Sequence, residues 1–225
     1  MISGVIFDMD GTLIDSVECW QNADRNFLIE NGITPPPDIT DTVKKLSIPE
    51  AAQLFRDLGV NKPHDTIIKR IEELVYKEYA SSIPLKEYAA ETLDILDKMN
   101  IPCCIATANY RSLTDLILKR FGIYNRFRFI FTSEESGIKK DDPLFFETVR
   151  SLLGTPAEET AVLDDSLHCI KAAGKSGFFT VGVYDSSSSD WSRITGCADL
   201  TIKNLKEFTE YLKAQDIQKE EQNEY

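Results

Sequence analysis

Short apolar runs and stretches of helical periodicity alternate along most of this 225-residue chain. Residues 3–7, 102–106, 128–132, 160–163, 178–183 and 199–202 are runs of strand length, rich in apolar and β-branched side chains. Pro102 stands at the first position of its run, where a missing backbone N–H is tolerated. Between the runs, residues 88–99, 113–121, 143–153, 167–175 and 205–214 read as helices. Strands alternating with helices of this size predict βαβ units, an α/β fold whose parallel sheet is covered on both faces.

One region breaks the alternation. From residue 16 to about residue 84 the pattern is helical and no strand stands out. Within 18–31, Trp20, Ala23, Phe27 and Leu28 recur at helical spacing, and 49–58 and 66–79 read the same way. Gly32 signals the end of the first helix, and Pro35-Pro36-Pro37 blocks its continuation. The expected layout is a core of residues 1–15 and 85–214, a helical cap of residues 16–84 and hinges near 13–15 and 82–86. The serine run 186–189 is expected to be a surface loop, and the polar residues 215–225 a disordered tail.

Composition narrows the classes. No apolar run approaches the ~18 residues that span a bilayer, and Asp8 ends the first apolar run too early for a signal peptide. No membrane association and a cytoplasmic location are therefore expected. The five cysteines are Cys19, Cys103, Cys104, Cys169 and Cys197, without a Cys-x-x-Cys pair and with only two histidines in the chain. Free thiols fit this usage better than a zinc site. A formal net charge of -12 argues against nucleic acid as a partner. An acidic protein that binds a small phosphate needs local positive charge, which a metal ion and a lysine would supply.

The chemistry begins at Asp8-Met9-Asp10-Gly11-Thr12. Residues two apart in extended backbone point the same way, so Asp8 and Asp10 would face one pocket and Met9 another. Gly11 lets the chain turn sharply. Paired carboxylates can divide work between a nucleophile and a general acid/base. An isolated segment of this kind is as often only a turn. Three further signals weigh against that reading. Thr107 follows one predicted strand, Lys140 lies after another, and Asp164-Asp165 follow a third. Open parallel sheets bind ligands beyond the carboxyl ends of their strands.

Together these segments resemble the haloacid dehalogenase (HAD) superfamily, and within it the phosphatase and β-phosphoglucomutase-like members with a helical cap. Asp8-Met9-Asp10-Gly11-Thr12-Leu13 resembles the first motif, Thr107 the second, and Gly137-Ile138-Lys139-Lys140 with Pro143 and Phe146 the third. In that register Lys140 is the motif lysine and Lys139 the weaker candidate. Leu163-Asp164-Asp165-Ser166, followed by Ala172, Ala173, Gly174 and Gly177, resembles the fourth. The resemblance implies a Rossmann-like core with an inserted α-helical cap. It implies Asp8 as the nucleophile that becomes an aspartyl-phosphate, and Asp10 as general acid/base. It also implies Thr107 and Lys140 on the phosphoryl group, and Mg²⁺ held by Asp8, the Asp10 carbonyl and Asp165, with Asp164 direct or through water. Asn109 and Trp20 are candidate substrate contacts, and the expected partner is a small phosphorylated metabolite bound by a monomer.

Four readings compete within that frame. A dehalogenase would not need Asp10. A β-phosphoglucomutase-like isomerase would carry a histidine on the first cap helix where this chain has Trp20; His64 and His168 do not match that position. Phosphonoacetaldehyde hydrolysis would need a cap lysine, for which Lys44 and Lys45 are the candidates. A non-enzymatic phosphate-binding or phospho-accepting regulator would leave Asp10 and the cap without a task. A phosphatase is the reading these features favour.

Overall fold

A computed structural model describes residues 1–43, 46–186 and 188–223, and of Asp41 and residues 218–223 the backbone only. Lys44, Lys45, Ser187 in the serine run and residues 224–225 of the tail lie outside the described residues.

Six strands form one sheet: β1 (Gly4–Phe7), β2 (Cys103–Thr107), β3 (Ile130–Thr132), β4 (Thr160–Asp164), β5 (Phe179–Val183) and β6 (Leu200–Ile202). Their spatial order is β3-β2-β1-β4-β5-β6 and every pairing is parallel. The chain therefore builds outward from β1 in one direction and then, from β4, in the other. The reversal falls between β1 and β4, the position at which open parallel sheets bind ligands beyond the carboxyl ends of their strands.

The interleaved helices explain why the strands are apolar throughout. All residues of β1, β2 and β4 are buried, as parallel strands covered on both faces must be. On one face Ile6, Cys104, Ala106 and Val162 pack with Phe145, Phe146 and Val149 of α8 (Pro143–Leu153) and with Cys169, Ala172 and Ala173 of α9 (Leu167–Lys175). On the other, Phe179 stacks on Tyr211 of α11 (Leu205–Asn223) at 5.3 Å. There α11 packs against α5 (Ala89–Lys98), and Thr92 Oγ1 donates to the Leu205 carbonyl. Helix α6 (Arg111–Arg120) connects β2 to β3.

The chain divides into two compact units, Met1–Asp15 with Pro84–Tyr225, and Ser16–Ile83. In the first, the two connecting segments are tied to each other. The Asp15 amide donates to the Pro84 carbonyl (3.0 Å) and the Lys86 amide to the Leu13 carbonyl (2.9 Å). Lys86 Nζ lies 2.7 Å from the buried carboxylate of Asp185, just beyond β5.

The second unit consists of α1 (Val17–Glu30), α2 (Ile39–Val43), α3 (Ile48–Asp57) and α4 (His64–Ser81). Phe27, Leu28, Ile39, Ala52, Phe55, Ile67 and Ile71 form its core, with the Phe27 and Phe55 rings 5.5 Å apart. A capping box starts α3: the Glu50 amide donates to Ser47 Oγ and the Ser47 amide to the Glu50 carboxylate. Asp24 is buried on the inner face of α1 beside Ala23 and Phe27.

The structure differs from the sequence reading in its short elements. Helices α2, α7 (Ser133–Ser136) and α10 (Trp191–Ile194) have four or five residues, too few to show periodicity. The segment expected to be a disordered tail instead continues α11 as far as Asn223. Leu205, Phe208 and Leu212 anchor that helix, and the Lys, Glu and Gln residues beyond propagate it at little cost. Among the described residues no helix is long and apolar enough to cross a membrane.

Candidate active site

The site is assembled from loops that follow the central strands. Asp8 continues the β1 ladder, its amide donating to the Leu163 carbonyl at 2.9 Å. The chain then folds around the Met9 carbonyl, which accepts from the amides of Leu13 (2.9 Å) and Ile14 (3.0 Å). Gly11 adopts φ 80° in that turn, a left-handed value unfavourable to a residue with a Cβ. Met9 is fully buried and Asp8 is 7% exposed.

Lys140 reaches Asp8 from the next strand-end loop but one. Thr132 ends β3 and caps α7 by accepting from the Glu135 amide (3.1 Å), and Gly137 ends that helix at φ 68°. A turn closed by the Asp142 amide and the Lys139 carbonyl leads into α8, where Asp142 caps and Pro143 takes the first position. This turn sends Lys140 inward and leaves Lys139 exposed. Lys140 Nζ bonds Asp8 Oδ1 and lies 2.8 Å from Asp164 Oδ2, which has no other hydrogen-bond partner of good geometry among the described residues.

Asp164 ends β4 and Asp165 follows it. Both are buried, and one carboxylate oxygen from each of Asp8, Asp164 and Asp165 lies within 4.8 Å of the other two. The Ser166 amide holds Asp164 Oδ1 at 2.8 Å. Sequence reasoning overlooked this Ser166 contact. Its only signal is the Asp-x-Ser spacing of an Asx turn, in which a carboxylate accepts from the amide two residues on.

Beyond β2, a short run of hydrogen bonds fixes residues 107–110. Thr107 Oγ1 accepts from the Asn109 amide (3.0 Å), and Asn109 Oδ1 accepts from the Tyr110 amide (2.7 Å). Asn109 Nδ2 then donates to Asp10 Oδ2 at 2.8 Å. Because Thr107 Oγ1 accepts from the Asn109 amide, the hydroxyl proton itself is left to be donated elsewhere.

Electrostatics set the character of the pocket. Burial pushes the Asp8 carboxyl well above its ordinary value. Lys140 pulls it down, while Asp164, Asp165 and Asp10 push it up further. Burial alone would depress the Lys140 ammonium, but the charges of Asp164 and Asp8 outweigh it and hold Lys140 well above the lysine range. The lysine is therefore a fixed cation among excess carboxylates.

The remaining residues weighed in the sequence have contacts of their own. Trp20 belongs to the helical unit, where its Nε1–H donates to Tyr79 Oη at 2.8 Å and its ring meets Tyr79 edge-on. Arg111, the first residue of α6, pairs with Asp115 at 2.8 Å and Glu135 at 3.2 Å. His64 Nε2 contacts the Pro49 carbonyl at 2.9 Å, and His168 is exposed.

The sequence matches the haloacid dehalogenase-like hydrolase family over residues 5–183. It is 28% identical over 201 residues to the glyceraldehyde 3-phosphate phosphatase of Methanopyrus kandleri, covering 81% of this chain and 84% of that one. It is 28% identical over 196 residues to the phosphoglycolate phosphatase of Neisseria gonorrhoeae, covering 81% and 80%. In fold it is similar to the crystal structure of a β-phosphoglucomutase from Clostridium difficile, with a TM-score of 0.76 and 19% identity over 97% of this chain and 96% of that one.

Proposed function

This chain belongs to the haloacid dehalogenase-like hydrolases, and from that premise we propose that it is a magnesium-dependent phosphatase of small phosphorylated metabolites, acting through an aspartyl-phosphate on Asp8. The observation that carries the reading is the buried pairing of Lys140 with Asp8 and Asp164 at the switch point of the sheet. A carboxylate there meets a cation that can also accept a phosphate.

The residues present suit a divalent metal. Three buried carboxylates offer an all-oxygen donor set, the preference of Mg²⁺. One lysine also leaves their combined charge undercompensated. Asp8, Asp164 and Asp165 would hold the ion, with the Asp10 carbonyl as the further ligand that the family resemblance implies. Bound there, Mg²⁺ supplies positive charge against the repulsion between a carboxylate and a phosphate dianion.

In the first step an Asp8 oxygen attacks phosphorus and the bond to the leaving oxygen breaks. Asp10 gives its proton to that oxygen. Lys140 balances the charge of the transferring group, and the Thr107 hydroxyl donates to one of its oxygens. In the second step Asp10 takes a proton from water as the water attacks phosphorus, so phosphate leaves and Asp8 is regenerated. Hydrolysis is favoured over isomerisation because Trp20 stands where the mutase resemblance calls for a histidine, and its one N–H is committed to Tyr79.

The test is phosphate release from a panel of phosphorylated metabolites, including glyceraldehyde 3-phosphate and phosphoglycolate, with Mg²⁺ or with EDTA. Release that needs Mg²⁺ and disappears in Asp8→Asn is the expected result. A folded wild type that releases phosphate from no ester in Mg²⁺ would sink the reading and direct attention to β-glucose 1-phosphate isomerisation.

A further inference from the structure

Asn109 is a candidate substrate contact by sequence, and in the structure its side chain is held by protein groups. The side chain is buried, and both ends of its amide are engaged by protein. The Tyr110 amide donates to Oδ1, which requires that end to be the acceptor. The amide orientation follows, and Nδ2 faces Asp10 Oδ2 at 2.8 Å. The backbone of the same residue is tied to Thr107 Oγ1. Asn109 is thus held at two points by its own loop and reaches across to the loop of the neighbouring strand.

We infer that Asn109 is a positioning residue for Asp10, holding Oδ2 so that Oδ1 is the oxygen that delivers and retrieves the proton. An oxygen that accepts from an N–H donor does not also direct a proton along that line. When Asp10 is protonated, the proton resides on Oδ1. Rotation of the carboxyl group about its own bond would exchange the two oxygens, and the Asn109 amide opposes that rotation. The proton is then presented from one direction at each turnover. It passes from Asp10 Oδ1 to the leaving oxygen as the phosphorus–oxygen bond breaks, and returns to Oδ1 from the attacking water.

This inference rests on the phosphatase reading, and its test separates the two. The measurement is kcat/KM for wild type and Asn109→Ala on two esters, p-nitrophenyl phosphate and an alkyl phosphate. This parameter reports the steps up to the first irreversible one, the phosphorylation of Asp8. A p-nitrophenolate leaves without being protonated, whereas an alkoxide does not. Misplacing the acid therefore costs about 10²-fold on the alkyl ester and spares the aryl ester. A residue that binds the phosphoryl group would lower both alike, chiefly through KM, and that result overturns the assignment, as does no loss on either ester. Asn109→Leu, close to asparagine in shape and without a donor, gives the same reading if the alanine variant does not fold. A wild type that releases phosphate from no ester, those of the metabolite panel included, overturns the phosphatase reading and this assignment with it; equal losses in an active background overturn this assignment alone.

Discussion

Asp8 and Asp24 are both aspartates removed from water, one at the end of β1 and the other on α1 of the helical unit, and they are 7% and 5% exposed. Burial drives both carboxyls upward. At Asp8 that rise is opposed by Lys140 and reinforced by three more acidic groups, so the carboxylate sits in a constructed electrostatic site. At Asp24 burial is the cause, and it pushes the carboxyl to about 7. The difference teaches that burial of an acid is not itself a sign of chemistry. What marks the β1 end is the convergence of a cation and further carboxylates from separate loops at the point where strand order reverses.

Replacing the nucleophile has the largest expected effect. Asp8→Asn lowers kcat on the order of 10⁴-fold or more, measured as phosphate release under saturating ester and Mg²⁺. Retained turnover would place Asp8 with Asp24, as a buried acid without a reactive role. Lys140→Met comes next. It lowers kcat by about 10²- to 10³-fold, the cost of removing one preorganised charge from a transferring group. An effect confined to KM would instead make Lys140 an anchor for bound phosphate.

Asp24→Asn tests the other side of the comparison. The folded pKa is raised, so the aspartate favours folding below its unfolded value near 4, and that contribution is lost as pH rises through about 7. At pH 8 the ionised group then costs on the order of 4 kcal/mol, and the asparagine variant recovers part of this. Below pH 4 the two proteins converge. Urea unfolding in a Trp191→Phe background, where Trp20 reports on the helical unit, checks this; a gain equal at pH 5 and pH 8 contradicts it. Tyr79→Phe is the mildest change. Loss of the Trp20 hydrogen bond costs ~1 kcal/mol and leaves kcat/KM near wild type if Trp20 serves packing. A large loss of activity without loss of stability would give Trp20 a part in substrate binding.

Much of the fold was legible because its elements carry their own signals. β1, β2 and β4 are built on apolar runs, and α8 begins at Pro143 and is capped by Gly154, which adopts φ 80°. Candidate chemistry was legible where motif residues stand at strand ends. Sequence could not reveal contacts made between loops. The Asn109–Asp10 bond spans 99 positions, and the Lys86–Asp185 pair spans another 99. Neither has a local spacing to betray it. The Lys139–Lys140 choice was also open in sequence, because adjacent lysines differ only in which way the 139–142 turn sends them. The last helix was read only as far as residue 214 for the opposite reason: beyond Leu212 its residues are mostly polar, so periodicity fades while helix propensity persists.

The most direct test of the account traps the phosphoryl group. Wild-type protein is mixed with Mg²⁺ and an ester found to be a substrate, quenched in acid within a turnover, reduced with borohydride and mapped by peptide mass spectrometry. The account predicts homoserine at position 8, the reduction product of an acyl phosphate, and none at Asp24, Asp164 or Asp165. An active enzyme that yields no modified Asp8, or one modified at another aspartate, would contradict it.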